Sequence, residues 1–189
     1  MLFRSVTTGA TYDPMIDVPT LTSATVANYP VLSPLNYRTY SGSSIPTLSN
    51  GNLNVTQSST TASCIGTATM GVLSGKWYWE ATFVSGNGAN NSFLGVVNGQ
   101  LVNTHPNDLG YSSNEYAYKS GNGYKSNNNT SAAYGSSYTS GDVIGFALDL
   151  DSGTLTFYKN NVSQGVAYSS LPLGDYYFPA FDKIGRAHV

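Results

Sequence analysis

Apolar and polar residues alternate with a period of two through much of this chain. In Val143–Leu150, Ile144, Phe146, Leu148 and Leu150 fall on one side, and Val143, Gly145, Ala147 and Asp149 on the other. That period belongs to a strand and not to a helix. Asp151-Ser152-Gly153 supplies turn chemistry, and Thr154–Tyr158 continues as a second strand with Leu155 and Phe157 on alternate positions. Lys159-Asn160-Asn161 closes it with another turn, because Asn tolerates the left-handed region. A hairpin with this much apolar surface needs a second sheet to cover it. The segment from Lys76 to Val84 predicts a core strand of the same kind: Trp77, Trp79, Ala81 and Phe83 share one face, and Tyr78, Glu80 and Thr82 the other.

The remaining pattern is of shorter pieces. Phe93–Val97 is an apolar run of the length of a buried strand, and Asn50-Gly51 between Leu48 and Val55 marks a hairpin. Cys64–Met70 reads as a strand, as do short pieces on either side of Gly121-Asn122-Gly123, with Asn127-Asn128-Asn129 as a loop tip. Gly165–Tyr168 and Tyr176–Phe181 follow the central hairpin. Val6–Pro46 is broken by Pro14, Pro19, Pro30, Pro34 and Pro46, which excludes a long helix and predicts an extended lead-in or linker whose apolar pieces, such as Val31-Leu32 and Leu35, strap a sheet. Many short strands divided by Gly, Asn and Pro turns predict an all-β sandwich, and no internal repeat points to a propeller or solenoid.

Composition narrows the function classes. Of 189 residues only 10% are charged, and polarity comes from Ser, Thr, Asn, Gly and fifteen Tyr. A net charge of −2 leaves no basic footprint for nucleic acid, and there is no run of 18 apolar residues to cross a membrane. Cys64 is the sole cysteine and reads as a small buried hydrophobe. The two ends stand apart. Met1–Ser5 and Ile184–Val189 resemble translated sequencing-adapter tails read on opposite strands, as expected of a reading frame assembled from environmental fragments. On that expectation residues 1–5 and 183–189 are not native, 6–46 is the lead-in, and 47–182 is the sandwich. Without the tails five basic residues stand against ten acidic, a net charge of −5.

The ordered motifs Gly75-Lys76-Trp77-Tyr78-Trp79-Glu80, Leu94-Gly95-Val96, Gly121-Asn122-Gly123, Gly141-Asp142-Val143-Ile144-Gly145, Leu148-Asp149-Leu150-Asp151 and Gly153–Asn160, closing with Gly165–Tyr168, Leu171-Pro172 and Tyr177–Ala180, resemble those of the SPRY domain family. The resemblance covers roughly Leu48 to Phe181. It implies a bent antiparallel β-sandwich of concanavalin-like, jelly-roll architecture. It also implies a non-enzymatic protein-binding module whose binding surface is built by loops at one end of the sandwich, and with these loops the expected ligand is a protein or a glycan. The family fold ends on a further strand, which the tail is expected to replace, leaving an edge unpaired. The lead-in, with Asp17-Val18-Pro19-Thr20, Asn28-Tyr29 and Leu32–Leu35, resembles that of SPRY-like domains in phage and phage-like environmental proteins. This implies a larger virion protein, located in the particle or in host cytoplasm during assembly. A passive spacer domain and a carbohydrate-active enzyme are the alternatives.

Candidate chemistry is sparse. His105 lacks partners for a metal site or a dyad, and no cofactor is expected. Asp149 and Asp151 share a strand side, but without a third carboxylate nearby they read as turn residues, Asp151 binding the backbone of the Asp-Ser-Gly turn. Glu80 is expected to pair with Lys76 or Lys159. Tyr offers large rigid contact, and Asn, Ser and Gly adapt their hydrogen bonds, the mixture found in paratopes. The candidate ligand contacts are accordingly Asn90, Asn91, Asn107, Tyr111, Tyr124 and Tyr138.

Overall fold

The computed structural model describes residues 21–23, 26–27, 30–40, 44–57, 63–86, 91–99, 101 and 107–188. The motifs Asp17–Thr20 and Asn28-Tyr29, together with Asn90 and His105, lie outside the described residues. The strands are β1 (Leu21–Ser23), β2 (Val26–Ala27), β3 (Leu32–Thr39), β4 (Thr47–Ser49), β5 (Asn54–Thr56), β6 (Cys64–Ala68), β7 (Lys76–Gly86) and β8 (Phe93–Asn98). They continue as β9 (Glu115–Lys119), β10 (Tyr124–Asn127), β11 (Thr130–Ala133), β12 (Val143–Asp149), β13 (Thr154–Lys159), β14 (Val162–Tyr168), β15 (Tyr177–Asp182) and β16 (Ile184–His188). Two seven-stranded sheets form, ordered β11-β10-β9-β8-β15-β6-β3 and β14-β13-β12-β7-β16-β5-β4, with β1 and β2 paired separately. The ladders are antiparallel, as in β7–β12, β8–β15 and β12–β13.

The two-residue period decides what each sheet buries. Phe146 lies opposite Phe157, and Leu148 opposite Leu155, on the inner face of the β12–β13 hairpin. Across the gap the first sheet supplies Leu94, Val96, Tyr116, Tyr118, Tyr177 and Phe181 to the same core. The Tyr118 and Phe157 rings meet at 5.1 Å. Burying such a side chain contributes about 1.5–3 kcal/mol, so the layers are held chiefly by these rings. In β7 the expected stripe is present, graded along its length: Ala81 and Phe83 are buried, whereas Trp77 and Trp79 are half-buried. Trp79 stacks on Phe146 at 5.0 Å and 10°, and Trp77 Nε1 donates to Ser74 O at 2.7 Å.

Three expectations are corrected. The lead-in contributes β3, which pairs with β6, so the sandwich begins before residue 47. Pro34 hid that strand, and Pro is tolerated there because β3 is an edge. The last strand is present: β16 runs between β7 and β5, and shifts of register around Arg186 let both Ile184 and Ala187 face the core. Glu80 accepts from Tyr78 Oη at 2.7 Å, while Lys76 pairs with Asp149 at 3.0 Å and Lys159 with Asp142 at 3.2 Å.

Strand β8 is buried along its whole length. Its outer side chains, Phe93 and Val97, join Ile65, Leu109, Ala117 and Ala180 in a second, smaller cluster on the outside of the first sheet. The residues from Asn107 to Asn114 fold over that face and cover it. Gly95 marks how closely β8 and β9 approach, since a Cβ there would stand 2.1 Å from Tyr116 O.

Candidate functional site

The covering loop is anchored by Leu109, 1% exposed, in the outer cluster. Around that anchor the chain has placed its buried ions. Arg38 and Glu115 are 4% and 1% exposed and meet at 2.5 Å between Nη1 and Oε1. The other carboxylate oxygen, Oε2, accepts from Gly110 N at 3.0 Å and Ser112 N at 3.4 Å. Arg38 Nη2 donates to Asn107 O at 3.3 Å, and Ser63 Oγ to the same oxygen at 3.2 Å. Asp182, fully buried, accepts from Leu109 N at 3.0 Å, Ser63 Oγ at 2.8 Å and Cys64 N at 3.0 Å. Lys183 Nζ reaches Asp108 at 2.6 Å. Edge strand β3, the start of β6, β9 and the end of β15 therefore all hold one loop in one shape. Buried ions are tolerated when paired and hydrogen-bonded, as these are. Burial, and next the Asp108 carboxylate, push the Asp182 pKa up to about 7 against the donors of Leu109 and Ser63.

The loop is tied on its other side to the β10–β11 hairpin. Asn129 N donates to Gly110 O at 3.2 Å, Asn128 N to Ser112 O at 3.1 Å, and Asn127 Nδ2 to Glu115 O at 2.8 Å. Gly110 is required here: its φ is +98°, and a Cβ would lie 2.5 Å from Ser126 O. Between loop and hairpin lies a groove of about 250 Å3, walled by Asn107–Tyr111 and floored by Phe93, Lys119, Ser126 and Ser131. Lys119 Nζ stands 5.6 Å over the Phe93 ring. The groove is polar, with one cation and one half-buried tyrosine, Tyr111. Such a surface offers hydrogen bonds and a flat aromatic contact to an extended or polar ligand.

The sequence candidates divide. Asn107 and Tyr111 line this groove together. Asn91 is half-buried on the connection from β7 to β8, at the end of the sandwich where Phe93 pairs with Lys119. Tyr124, 37% exposed, starts β10, and its N–H donates to Asn122 Oδ1 at 3.1 Å. Tyr138 is corrected to a core residue: it is 3% exposed, its hydroxyl donates to Tyr118 O at 2.9 Å, and its ring meets Phe83 edge-on at 5.2 Å. The reason is topological, since residues 134–142 carry the chain from one sheet to the other, and Tyr138 fills the space crossed. Asp149 and Asp151 are engaged in the turn, with the roles exchanged from expectation. Asp149 Oδ1 accepts from Asp151 N at 3.0 Å and Ser152 N at 3.1 Å, and Asp151 Oδ1 accepts from Gly75 N at 3.1 Å. Arg38, Glu115, Asp182 and Lys119 were not singled out by sequence. The signal available was rarity: in so weakly charged a chain, an Arg set between Tyr37 and Thr39, two positions before Tyr40, and a Glu opening EYAYK are candidates for buried pairing.

A family model described as the SPRY domain matches residues 76–182. Ran-binding protein 10 of Danio rerio is 31% identical over 102 residues, covering 52% of this chain and 16% of that protein. Ran-binding protein 9 of Homo sapiens is 30% identical over 102 residues, 52% of this chain and 13% of its own. The dual specificity protein kinase splA of Dictyostelium discoideum is 35% identical over 98 residues, 51% of this chain and 4% of its own. The chain thus spans less than a fifth of the length of each of these three relatives. Among solved structures, the SPRY domain of human HERC1 superposes with a TM-score of 0.68 at 21% identity, covering 83% of this chain and 95% of that one. The TRIM65 PSpry domain gives 0.62 at 19%, covering 85% and 87%. These likenesses extend the agreement in fold beyond the matched segment. The family model, which matches more than half of the chain, establishes that the chain belongs to the SPRY domain family.

Proposed function

We propose that this chain is a non-enzymatic protein-binding module whose partner seats in the groove between the Asn107–Asn114 loop and the β10–β11 hairpin. SPRY domains generally mediate protein–protein interactions and do not catalyse reactions, and this supports the class of function. The observation that carries the choice of surface is the anchoring of the loop. Arg38, Glu115 and Asp182 fix its backbone from beneath, so its groove-facing side is held ready before any partner arrives. Affinity gained by such preorganisation comes from entropy that need not be lost on binding. The virion setting rests on the N-terminal lead-in and on the Tyr/Asn/Ser/Gly loops. The three relatives named above, from Danio rerio, Homo sapiens and Dictyostelium discoideum, do not bear on it. Flanking genomic DNA encoding tail or capsid proteins would support it, and cellular genes would remove it.

The test uses a library of random twelve-residue peptides displayed on their own messenger RNA and selected against the folded chain. Affinities of the synthesised winners are then measured by fluorescence anisotropy. Tyr111→Ala is expected to weaken binding about tenfold, the loss of a contact of about 1.4 kcal/mol. Tyr124→Ala is expected to leave it unchanged. Equal binding by wild type and Tyr111→Ala would move the site elsewhere. A glycan from an array that competes for the groove where no peptide does would replace the protein reading.

A further inference from the structure

Sheets such as these have four outer strands, and an unguarded one invites pairing with another chain. Three of the four are guarded here. Strand β3 carries Pro34 and an interruption of its pairing between Leu32 and Tyr37. Strand β4 is only three residues long. Strand β14 shifts register twice against β13, which twists it away. Strand β11 has none of these devices. Its sequence, Thr-Ser-Ala-Ala, holds no proline and no charge, all four residues are exposed, and its register with β10 is unbroken from Tyr124–Ala133 to Asn127–Thr130. Among the described residues it has a neighbour on one side only.

The hairpin geometry says which groups are on offer. Asn128 and Asn129 have φ of 50° and 54°, so the two-residue turn is of the mirror-image type that closes on Asn127 and Thr130 as a hydrogen-bonded pair. Pairs alternate from there. Thr130 and Ala132 spend their backbone groups on β10, while Ser131 and Ala133 turn N–H and C=O to the open edge. Both faces of the hairpin beside that edge are hollow. Ser126 and Ser131 look into the groove already described, and on the opposite face Lys125, Asn127, Thr130, Ala132 and Tyr168 line a second depression of about 300 Å3. The Lys125 ammonium there is held by Ala167 O at 2.5 Å and lies 5.4 Å from the Tyr168 ring, so the second hollow presents aliphatic stem and ring rather than a free charge.

We infer that the partner adds an extended segment to the edge of β11, its successive side chains falling alternately into the polar groove beside Tyr111 and the more apolar hollow beside Tyr168. This rests on the protein-binding reading above and specifies its mode. The occupant is a peptide segment of a partner protein and not a second copy. A four-residue edge is about 14 Å long. Two free backbone sets on such an edge fall well short of the roughly 1,200–2,000 Å2 that stable protein pairs bury, whereas a strand with side chains in two ready hollows is well served.

The experiment methylates each backbone nitrogen in turn along the selected peptides. Strand addition predicts alternation: about a tenfold loss at every second position and little change between, since methylation there removes an edge hydrogen bond and adds a clash. Ser131→Pro in the chain is expected to abolish binding with an unchanged melting curve. The peptide series stands even where that variant folds poorly. Uniform tolerance of methylation, with Tyr111→Ala still weakening binding, would overturn strand addition and leave the groove reading in place. Failure to select any peptide dependent on the folded chain would overturn both. A concentration-dependent dimer in sedimentation, lost in Ser131→Pro, would give the edge to a second copy and overturn the peptide occupant.

Discussion

Replacing Glu115 by Ala should be among the most damaging single changes available in this molecule. The carboxylate is 1% exposed and neutralises an Arg38 that is 4% exposed. Removing one member of such a pair strands the other charge in the interior, at about 3–5 kcal/mol. Gly110 N also loses its acceptor, and a buried orphan N–H costs about 1–3 kcal/mol. The two terms overlap, and Asn107 O continues to accept from Arg38, so about 4 kcal/mol is the expected net loss. Against a total stability of about 5–15 kcal/mol this is severe. In urea, with a slope of about 2 kcal/mol per molar, the midpoint should fall by about 2 M. The informative companion is the double variant Arg38→Leu/Glu115→Leu. If the cost of the single change is the stranded guanidinium, removing both charges should restore much of the lost stability. Amide exchange at Gly110 should be fast in Glu115→Ala, because the loop loses its anchor while the sandwich persists. A loss below about 1 kcal/mol in the single variant, or a double variant whose loss equals the sum of the two singles, would refute the reasoning.

Other expectations follow from the same contacts. Asp182 is held up at about 7 by burial and Asp108, above the roughly 3.9 of an unfolded Asp, so the folded chain binds the extra proton and stability should fall as pH rises from about 4 to about 7. Asp149 is held down at about 2, chiefly by Lys76 and then by the turn N–H of Ser152, so its contribution is present above about 4 and lost toward pH 2. Urea midpoints should therefore peak near pH 4, and Asp182→Asn should flatten the upper limb alone; an unaltered upper limb would assign it to other groups. Trp79→Ala, which removes the stack on Phe146, should cost about 2–3 kcal/mol, and Trp77→Ala less, because both rings are half-buried; equal, negligible losses would contradict the packing. Gly95→Ala places a methyl 2.1 Å from Tyr116 O and should prevent native β8–β9 pairing, read as absence of a cooperative melt.

What could be read from the sequence was whatever repeats locally. The alternation in β7, β12 and β13 and the turn residues between them specify strands and their buried faces without reference to distant parts, and the ordered motifs carried the family. Strand β3 escaped because its Pro34 is read correctly as a breaker, and only the sheet order reveals that it lies on an edge where the rule relaxes. Strand β11 escaped because Thr-Ser-Ala-Ala has no apolar period to detect. At the site, Asn107 and Tyr111 were found by residue type. The ions that hold their loop join Arg38 to a Glu 77 positions away and Ser63 to an Asp 119 positions away. No local pattern encodes such partners. Tyr138 shows the converse: by type it belongs in a binding loop, and only the route of the chain between the sheets makes it core.

The placement of β15 and β16 has a consequence for synthesis. One lies between β8 and β6, and the other between β7 and β5, joined by the single residue Lys183. Until residues 177–188 leave the ribosome, each layer is therefore two unconnected halves with bare seams, and neither half can zip to the other. Up to that point the nascent protein is an unsealed book, and residues 177–188 bind both spines at once.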